Sequence, residues 1–164
     1  MRSNIVLIGM PGAGKSTIGV ILAKVLGYHF VDADLVIQER ENRLLKDIIE
    51  EDGLDRFIEI ENEVNASLQV EKTVIATGGS VIYGEEAMKH LKEIGIVIYI
   101  KLSYETLDSR LGNIKQRGVV LKKGQNLEGL YKERCPLYEK YADHIIDGEN
   151  MGVEDLLNRI CSII

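Results

Sequence analysis

Several residue types that often mark a protein's class are scarce in this chain. Its 164 residues include no tryptophan, two prolines, two cysteines and three histidines. Cys135 and Cys161 are too few for a disulfide framework and lack the paired spacing of a zinc site, so we expect free thiols in a reducing cytoplasm. His29, His90 and His144 are scattered without metal-ligand spacing. These shortages argue against a disulfide-stabilised scaffold and against a metal centre built on histidine or cysteine.

Long apolar runs and excess positive charge are also missing. No apolar stretch approaches the roughly 18 residues that a membrane helix needs. The short apolar segment after Arg2 leads into a glycine-rich motif, so we expect no signal peptide. The net charge is −6, whereas nucleic-acid surfaces are usually basic, and the seven tyrosines are not interleaved with basic residues. We therefore expect a cytoplasmic protein that binds neither membranes nor nucleic acid.

The chain does contain a regular alternation of strand-like and helix-like segments. Its length suits one domain, residues 1–164, and 45% hydrophobic residues suffice for a core. Strands are predicted over 5–8, 29–31, 73–76, 96–100 and 144–146. Helices are predicted over 18–26, 35–69 with a break near Gly53, 85–93, 103–111, 127–141 with a break or kink at Pro136, and 153–164. This order predicts βαβ units, and hence an α/β fold with a parallel sheet and helices on both faces.

A phosphate-binding loop is predicted directly after the first strand. Residues 9–16 read Gly-Met-Pro-Gly-Ala-Gly-Lys-Ser, which is the pattern G-x-x-x-x-G-K-S between a strand and a helix. Glycines let backbone N–H groups approach phosphate oxygens, Lys15 can reach the β- and γ-phosphates, and the Ser16 hydroxyl can bind Mg²⁺. The alternative is a glycine-rich turn with an incidental lysine. The nucleotide-binding residues predicted here are Gly12, Ala13, Gly14, Lys15, Ser16 and Thr17.

Two aspartates and a glycine pair follow the next strands. Asp32 and Asp34 flank one residue, and in an extended chain residues two apart point the same way. One carboxylate could then serve Mg²⁺ and the other an acceptor hydroxyl, the alternative being a turn that caps the next helix. Gly78 and Gly79 permit close approach of a ligand, or simply make a tight connection. Because ligands bind beyond the carboxyl ends of parallel strands, these segments and the phosphate loop predict one shared site.

Three arginines and a group of glutamates complete the candidates. Arg117 lies in a polar loop over 112–124 that is typical of a lid, although a lone cation there is often only solvated. Arg134 could hold a substrate carboxylate or form a surface ion pair. Arg110 could stack on adenine. The glutamates Glu59, Glu61 and Glu63 lie mostly off an apolar helical stripe, and the simplest interpretation of such charges is a solvated face.

Together these residues resemble the shikimate kinase family over essentially the whole chain. The resemblance rests on order and spacing as well as on individual motifs. The matching stretches are residues 9–19, 30–34 (Phe-Val-Asp-Ala-Asp), Phe57 with Glu61, 76–79 (Ala-Thr-Gly-Gly), 110–111, Arg117 and 134–138 (Arg-Cys-Pro-Leu-Tyr). The resemblance implies a monomer with the three-layer P-loop kinase fold, a five-stranded parallel sheet, an acceptor-binding helical segment at about 34–69 and a mobile lid at about 112–124.

The resemblance also implies an activity and a role for each site residue. The activity is phosphorylation of the shikimate 3-hydroxyl by ATP with Mg²⁺, as a step of aromatic amino-acid biosynthesis. Lys15 and Arg117 would contact the transferring phosphates, and Arg110 the adenine. Ser16 and Asp32 would hold Mg²⁺. The acceptor would contact Asp34 as the catalytic carboxylate, together with Gly78, Gly79 and Arg134.

Three positions depart from the family pattern. Ile58 stands where the family usually has an arginine that grips the shikimate carboxylate. Ser80 replaces a third glycine after the strand, and Gly118 follows Arg117 where the family usually has proline. Two alternatives therefore stay open: a paralogous kinase for another polyol, sugar-acid or nucleoside-type acceptor, and a nucleotide-binding protein with little turnover. A nucleoside-monophosphate kinase is disfavoured, because the arginines expected around a second nucleotide phosphate are not apparent.

Overall fold

The computed structural model describes residues 2–111 and 124–164. These residues form five strands: β1 (Asn4–Ile8), β2 (His29–Asp32), β3 (Thr73–Ala76), β4 (Gly95–Lys101) and β5 (His144–Asp147). They also form eight α-helices: α1 (Lys15–Leu26), α2 (Ala33–Glu41), α3 (Leu45–Asp52), α4 (Leu54–Ala66), α5 (Glu85–Ile94), α6 (Tyr104–Arg110), α7 (Leu127–Tyr141) and α8 (Val153–Cys161). A short 3₁₀ helix spans Val81–Tyr83.

The strands form one parallel sheet in the order β2-β3-β1-β4-β5. β1 lies at its centre, and all five of its residues are buried, as expected for a strand covered on both faces. The crossover β1-α1-β2 runs in the opposite direction from β3-α5-β4. Since parallel crossovers are right-handed, α1 and α5 lie on opposite faces of the sheet. The α/β prediction, with its parallel sheet between helical layers, is confirmed.

Helix α1 begins and ends at glycines in the left-handed conformation. Gly14 precedes it with φ 90°, and Gly27 follows it with φ 68° and donates its N–H to the carbonyls of Ala23 and Lys24. The helix packs Ile18 and Leu22 into the core. The phosphate-loop residues are therefore held between a buried central strand and a well-anchored helix.

The segment predicted as one helix with a single break forms three helices. The expected break at Gly53 is present, and a second lies at Asn42, which is left-handed with φ 52°. Helices α2 to α4 share a separate apolar cluster of Ile37, Leu45, Ile48, Phe57, Ile60 and Val64. This cluster explains how a helical excursion from the sheet edge is stabilised without adding a strand.

Two other local predictions can be compared directly with the structure. The predicted N-cap of α6 is present, since Ser103 Oγ accepts from the N–H of Thr106 at 3.2 Å. The predicted break at Pro136 is absent, because α7 is helical throughout Leu127–Tyr141. Within residues 2–111 and 124–164, no helix combines the length and apolar character of a membrane span. The predicted lid falls outside the described residues except for Gly124.

Candidate active site

A cavity of about 400 Å³ opens where β1, β2 and β3 end. Its walls come from the phosphate loop and the start of α1, from Asp34 in α2, from the turn after β3 and from Arg134 in α7. The structure thus brings together most of the residues proposed from the sequence for phosphate and acceptor binding. The lining residues proposed in advance are Gly12, Gly14, Lys15, Ser16, Thr17, Asp34, Gly78, Gly79 and Arg134.

The phosphate loop needs glycine where its backbone turns against the sheet. Gly9 has φ 149°, and a Cβ there would lie 2.8 Å from the carbonyl oxygen of Ile100. Lys15 is buried, and its Nζ donates to the carbonyls of Gly9 at 2.7 Å and Met10 at 2.8 Å. Burial lowers the pKa of Lys15 to about 8, against the opposing effect of Asp34. The lysine remains a cation at neutral pH and lies within the cavity wall.

Ser16 and Asp32 form an oxygen pair beside the loop. Ser16 Oγ is exposed and donates to Asp32 Oδ2 at 2.9 Å. A hydroxyl and a carboxylate that lie this close, open to solvent and next to a phosphate-binding loop, fit the all-oxygen coordination that Mg²⁺ prefers. This pair can hold the metal either directly or through its water shell.

The geometry predicted for the two aspartates was wrong, although both lie at the site. Asp32 ends β2 and caps α2, with its Oδ1 accepting from the N–H of Asp34 at 3.0 Å. Asp34 therefore lies in the first helical turn and not in an extended strand. Capping, the alternative interpretation, coexists with a cavity position for Asp34. Burial, reinforced by the negative charge of Asp32, raises the pKa of Asp34 to about 6.

Glu61 is buried in the cavity wall, contrary to the expectation that it is solvated. Only 2% of the residue is exposed, and its Oε1 accepts from Ser80 Oγ at 2.5 Å. Burial raises the pKa of Glu61 to about 7, and the hydrogen bond from Ser80 opposes that shift. The helical spacing could have predicted this burial. Glu61 follows Phe57 by four residues and precedes Val64 by three, which places it on the apolar face of the helix.

The two glycines after β3 are closely approached by charged side chains of the site. A Cβ on Gly78 would stand 2.6 Å from both Asp34 Oδ1 and Glu61 Oε2. A Cβ on Gly79 would stand 2.8 Å from Arg134 Nη1. A side chain at either position would have to displace these charged groups, so the glycines leave room for the protein's own site residues. Close approach of a ligand to this backbone stays a prediction.

Arg134 is buried inside the protein, so the alternative of a surface ion pair was wrong. It is 1% exposed, and its guanidinium lies 5.5 Å from the centre of the Tyr83 ring. Tyr138, one helical turn further along α7, donates its hydroxyl to the carbonyl of Gly79 at 2.5 Å. Tyr83 and Tyr138 were not proposed from the sequence, because no local pattern shows which tyrosines meet across elements.

Arg110 borders a second cavity, of about 220 Å³, on the other side of the phosphate loop. Its Nη1 donates to the carbonyl of Gly12 at 3.1 Å, and Ala13 and Thr17 line the same cavity. Residues 151–153 after β5 also line it and were missed. These residues follow the carboxyl end of a parallel strand, where ligands usually bind, and that position could have identified them as candidates.

Three positions discussed in the sequence analysis do not line either cavity or lie outside the described residues. Ile58 is half-buried, packs on the apolar cluster of α2 to α4, and is not part of either cavity wall. Arg117 and Gly118 lie outside the described residues. The two departures that can be located, Ile58 and Ser80, thus differ, since only Ser80 touches the acceptor cavity.

Curated relatives of the chain are shikimate kinases. The family model for shikimate kinase matches residues 11–164. A shikimate kinase from Clostridium botulinum (strain Eklund 17B / Type B) is 36% identical over 165 residues, covering 100% of this chain and 98% of the relative. Another, from Thermodesulfovibrio yellowstonii, is 37% identical over 160 residues, covering 96% of this chain and 92% of the relative.

Solved structures match the fold as closely. A shikimate kinase from Acinetobacter baumannii, in complex with shikimate, superposes with a TM-score of 0.89 and 32% identity, over 99% of this chain and 93% of that one. The shikimate kinase from Aquifex aeolicus superposes with a TM-score of 0.83 and 32% sequence identity, over 97% of this chain and 94% of that chain. These matches confirm the kinase fold and do not favour a different acceptor or a non-catalytic role. The chain therefore belongs to the shikimate kinase family of phosphotransferases, which use ATP to phosphorylate a hydroxyl group of shikimate.

Proposed function

We propose that this chain transfers the γ-phosphoryl group of ATP to the 3-hydroxyl of shikimate. The observation that carries the proposal is a single cavity joining Lys15 of the phosphate loop to a half-buried carboxylate, Asp34, and a buried cation, Arg134. Family membership and the shikimate complex of a structural relative support the same acceptor. In the reaction a bond forms between the acceptor oxygen and the γ-phosphorus, the bond from that phosphorus to the bridging oxygen of ADP breaks, and the hydroxyl proton leaves.

On the donor side, the backbone of residues 12–17 and the Lys15 ammonium bind the phosphates. Lys15 exchanges its bonds to the Gly9 and Met10 carbonyls for phosphate oxygens when ATP binds. Ser16 and Asp32 hold Mg²⁺, which when bound neutralises charge on the β- and γ-phosphates. Arg110, at the second cavity, contacts the adenine. Arg117 contacts the transferring phosphate, a role proposed from the sequence alone.

On the acceptor side, charge and hydrogen bonding orient one hydroxyl towards the donor. Arg134 binds the shikimate carboxylate with its fork of N–H donors. Asp34 accepts a hydrogen bond from the 3-hydroxyl and takes its proton, a task suited to a carboxylate whose pKa of about 6 lies near neutral pH. Gly78 and Gly79 leave room for the ring to approach the backbone. We further propose that the chain acts as one domain, as a monomer, in the cytoplasm.

Steady-state rates of ADP release with and without shikimate test this function. We expect turnover that needs both ATP and shikimate, and a loss of about 10²–10³-fold in kcat for Lys15→Ala, because an electrostatic contact to the transferring group disappears. Lys24→Ala is the matched control, since Lys24 is exposed on the same helix. ADP release that is independent of shikimate, or unchanged in Lys15→Ala, would contradict the proposal.

A further inference from the structure

The Glu61 carboxylate is held from outside its own helix. One turn before it in α4 stand the apolar residues Phe57 and Ile58. One turn after it, Asn65 donates to the backbone carbonyl of Glu61 at 2.8 Å rather than to the carboxylate. Among the described residues, the hydrogen bond recorded to the carboxylate is the one from Ser80, at 2.5 Å to Oε1. Ser80 therefore determines which way this buried side chain turns.

The other carboxylate oxygen of Glu61 lies near Asp34, beside Gly78. Glu61 Oε2 and Asp34 Oδ1 each lie 2.6 Å from the point where a Gly78 Cβ would stand, so they are separated by no more than twice that distance. Both residues line the cavity. Two carboxylate oxygens this close repel each other when both are ionised, and hydrogen-bond donors of a molecule in the cavity would stabilise them.

We propose that Ser80 and Glu61 form a specificity-determining pair that binds the hydroxyl next to the one that is phosphorylated. This inference rests on the proposed function and deepens it. Asp34 accepts a hydrogen bond from the reacting hydroxyl, and Glu61 Oε2 accepts one from the hydroxyl on the neighbouring carbon. The site therefore selects acceptors with a vicinal diol. An acceptor with a single hydroxyl leaves one buried oxygen without a donor, which costs about 10- to 100-fold in kcat/KM.

The charges that surround Glu61 explain why Ser80 is needed for this selectivity. Asp34 on α2 repels the carboxylate, while Lys15 on α1 and Arg134 on α7 attract it. Without the Ser80 hydroxyl, we expect Glu61 to turn towards these cations and away from the position in which it would bind the second hydroxyl. Ser80 is thus a positioning residue, and its effect should appear only with acceptors that carry the second hydroxyl.

The test compares shikimate with its 4-deoxy analogue in which hydrogen replaces the neighbouring hydroxyl. For the wild-type protein we expect kcat/KM to favour shikimate by about 10- to 100-fold. In Ser80→Ala and in Glu61→Gln this ratio should fall towards one, while the KM for ATP of Ser80→Ala stays unchanged. Ser80→Thr, which keeps the hydroxyl, should restore most of the ratio. Ser162→Ala, at the end of α8 and remote from the cavities, is the control.

Each outcome bears on one of the two proposals. The ratio in question is kcat/KM for shikimate over kcat/KM for the 4-deoxy analogue. If it is near one in the wild type, or unchanged in both Ser80→Ala and Glu61→Gln, the proposed role of Ser80 and Glu61 is wrong and the kinase function is unaffected. No turnover of shikimate by the wild-type protein refutes the proposed function itself. If Ser80→Ala does not fold, as judged by circular dichroism, Glu61→Gln and Ser80→Thr still decide the question.

Discussion

At the scale of single residues, the acceptor cavity concentrates opposite charges that are largely shielded from water. Lys15 and Arg134 are cations, Asp34 and Glu61 are acids, and Lys15, Glu61 and Arg134 are each less than one-tenth exposed. Burial of such groups is costly unless they pair or hydrogen-bond. Their mutual attraction and the bond from Ser80 offset part of that cost, so the site remains polarised before any substrate arrives.

Glu61 should make stability depend on pH in a window that can be measured. Its pKa is raised from 4.5 to about 7 in the folded state, so between these values the folded protein keeps a proton that the unfolded chain releases. The free energy of unfolding of the wild type, relative to Glu61→Gln, should therefore fall as pH rises from about 4.5 to 7. The total change should be on the order of 3 kcal/mol.

Urea unfolding of both proteins at several pH values measures this difference. Glu59→Gln is the matched control, because Glu59 is exposed on the same helix. A wild-type minus Glu61→Gln difference that is the same at pH 4.5 and pH 7.5 would show that Glu61 does not titrate in this window. Asp34 and Lys15 are present in both proteins, so their own contribution to the pH dependence of the free energy of unfolding cancels to first order in this difference.

Residue positions were predictable where a motif carries its own geometry. The phosphate loop is such a case, since its glycines and lysine act on the adjacent backbone. The orientation of Asp34 was not predictable from strand periodicity, because capping by Asp32 starts the helix at Ala33, two residues earlier than predicted. Glu61 was misjudged because charge was weighed above its place on the apolar face.

At the scale of elements, helix α5 begins without a side-chain cap of its own and obtains one from α4. Its N-cap is Gly84, and the backbone N–H of Ala87 donates instead to Asn62 Oδ1 at 2.9 Å. Asn62 Nδ2 in turn donates to Glu86 at 2.6 Å. Helix α4 of the acceptor segment is thus joined to α5 by a polar contact.

Asn62→Ala should destabilise the protein by about 1 kcal/mol, the usual cost of losing a helix N-cap. Urea unfolding measures the change. Asn158→Ala, at an exposed position in α8, should stay within about 0.5 kcal/mol of the wild type. Equal losses in the two variants would mean that the contact from α4 to α5 contributes nothing specific.

Most elements follow from periodicity, and the exceptions have local causes. All five predicted strands are present, because short apolar runs bounded by polar turns leave little ambiguity. The break at Asn42 was missed because asparagine is only one of several residues that tolerate the left-handed conformation. The helix continues through Pro136, and Arg134 and Tyr138 on either side of the proline make buried contacts.

At the scale of the whole molecule, the parallel sheet explains why one site forms at all. The segments after β1, β2 and β3 are distant in sequence, and the strand order places them side by side at one edge. That convergence was predictable from the rule for parallel sheets. Arg134 was proposed for this site from its chemistry and from the family resemblance. The contribution of Tyr138 was not predicted, since nothing in the local sequence specifies which side chains of α7 reach the turn after β3.

The most direct test of the central claim is identification of the product by ³¹P NMR after incubation with Mg²⁺, ATP and shikimate. We predict ADP and one new phosphate monoester, with its phosphorus coupled to the proton on C3 of shikimate. Lys15→Ala should give neither signal above background. Inorganic phosphate as the sole new phosphorus signal beside ADP, or a monoester at another carbon, would contradict the assignment of acceptor and reacting hydroxyl.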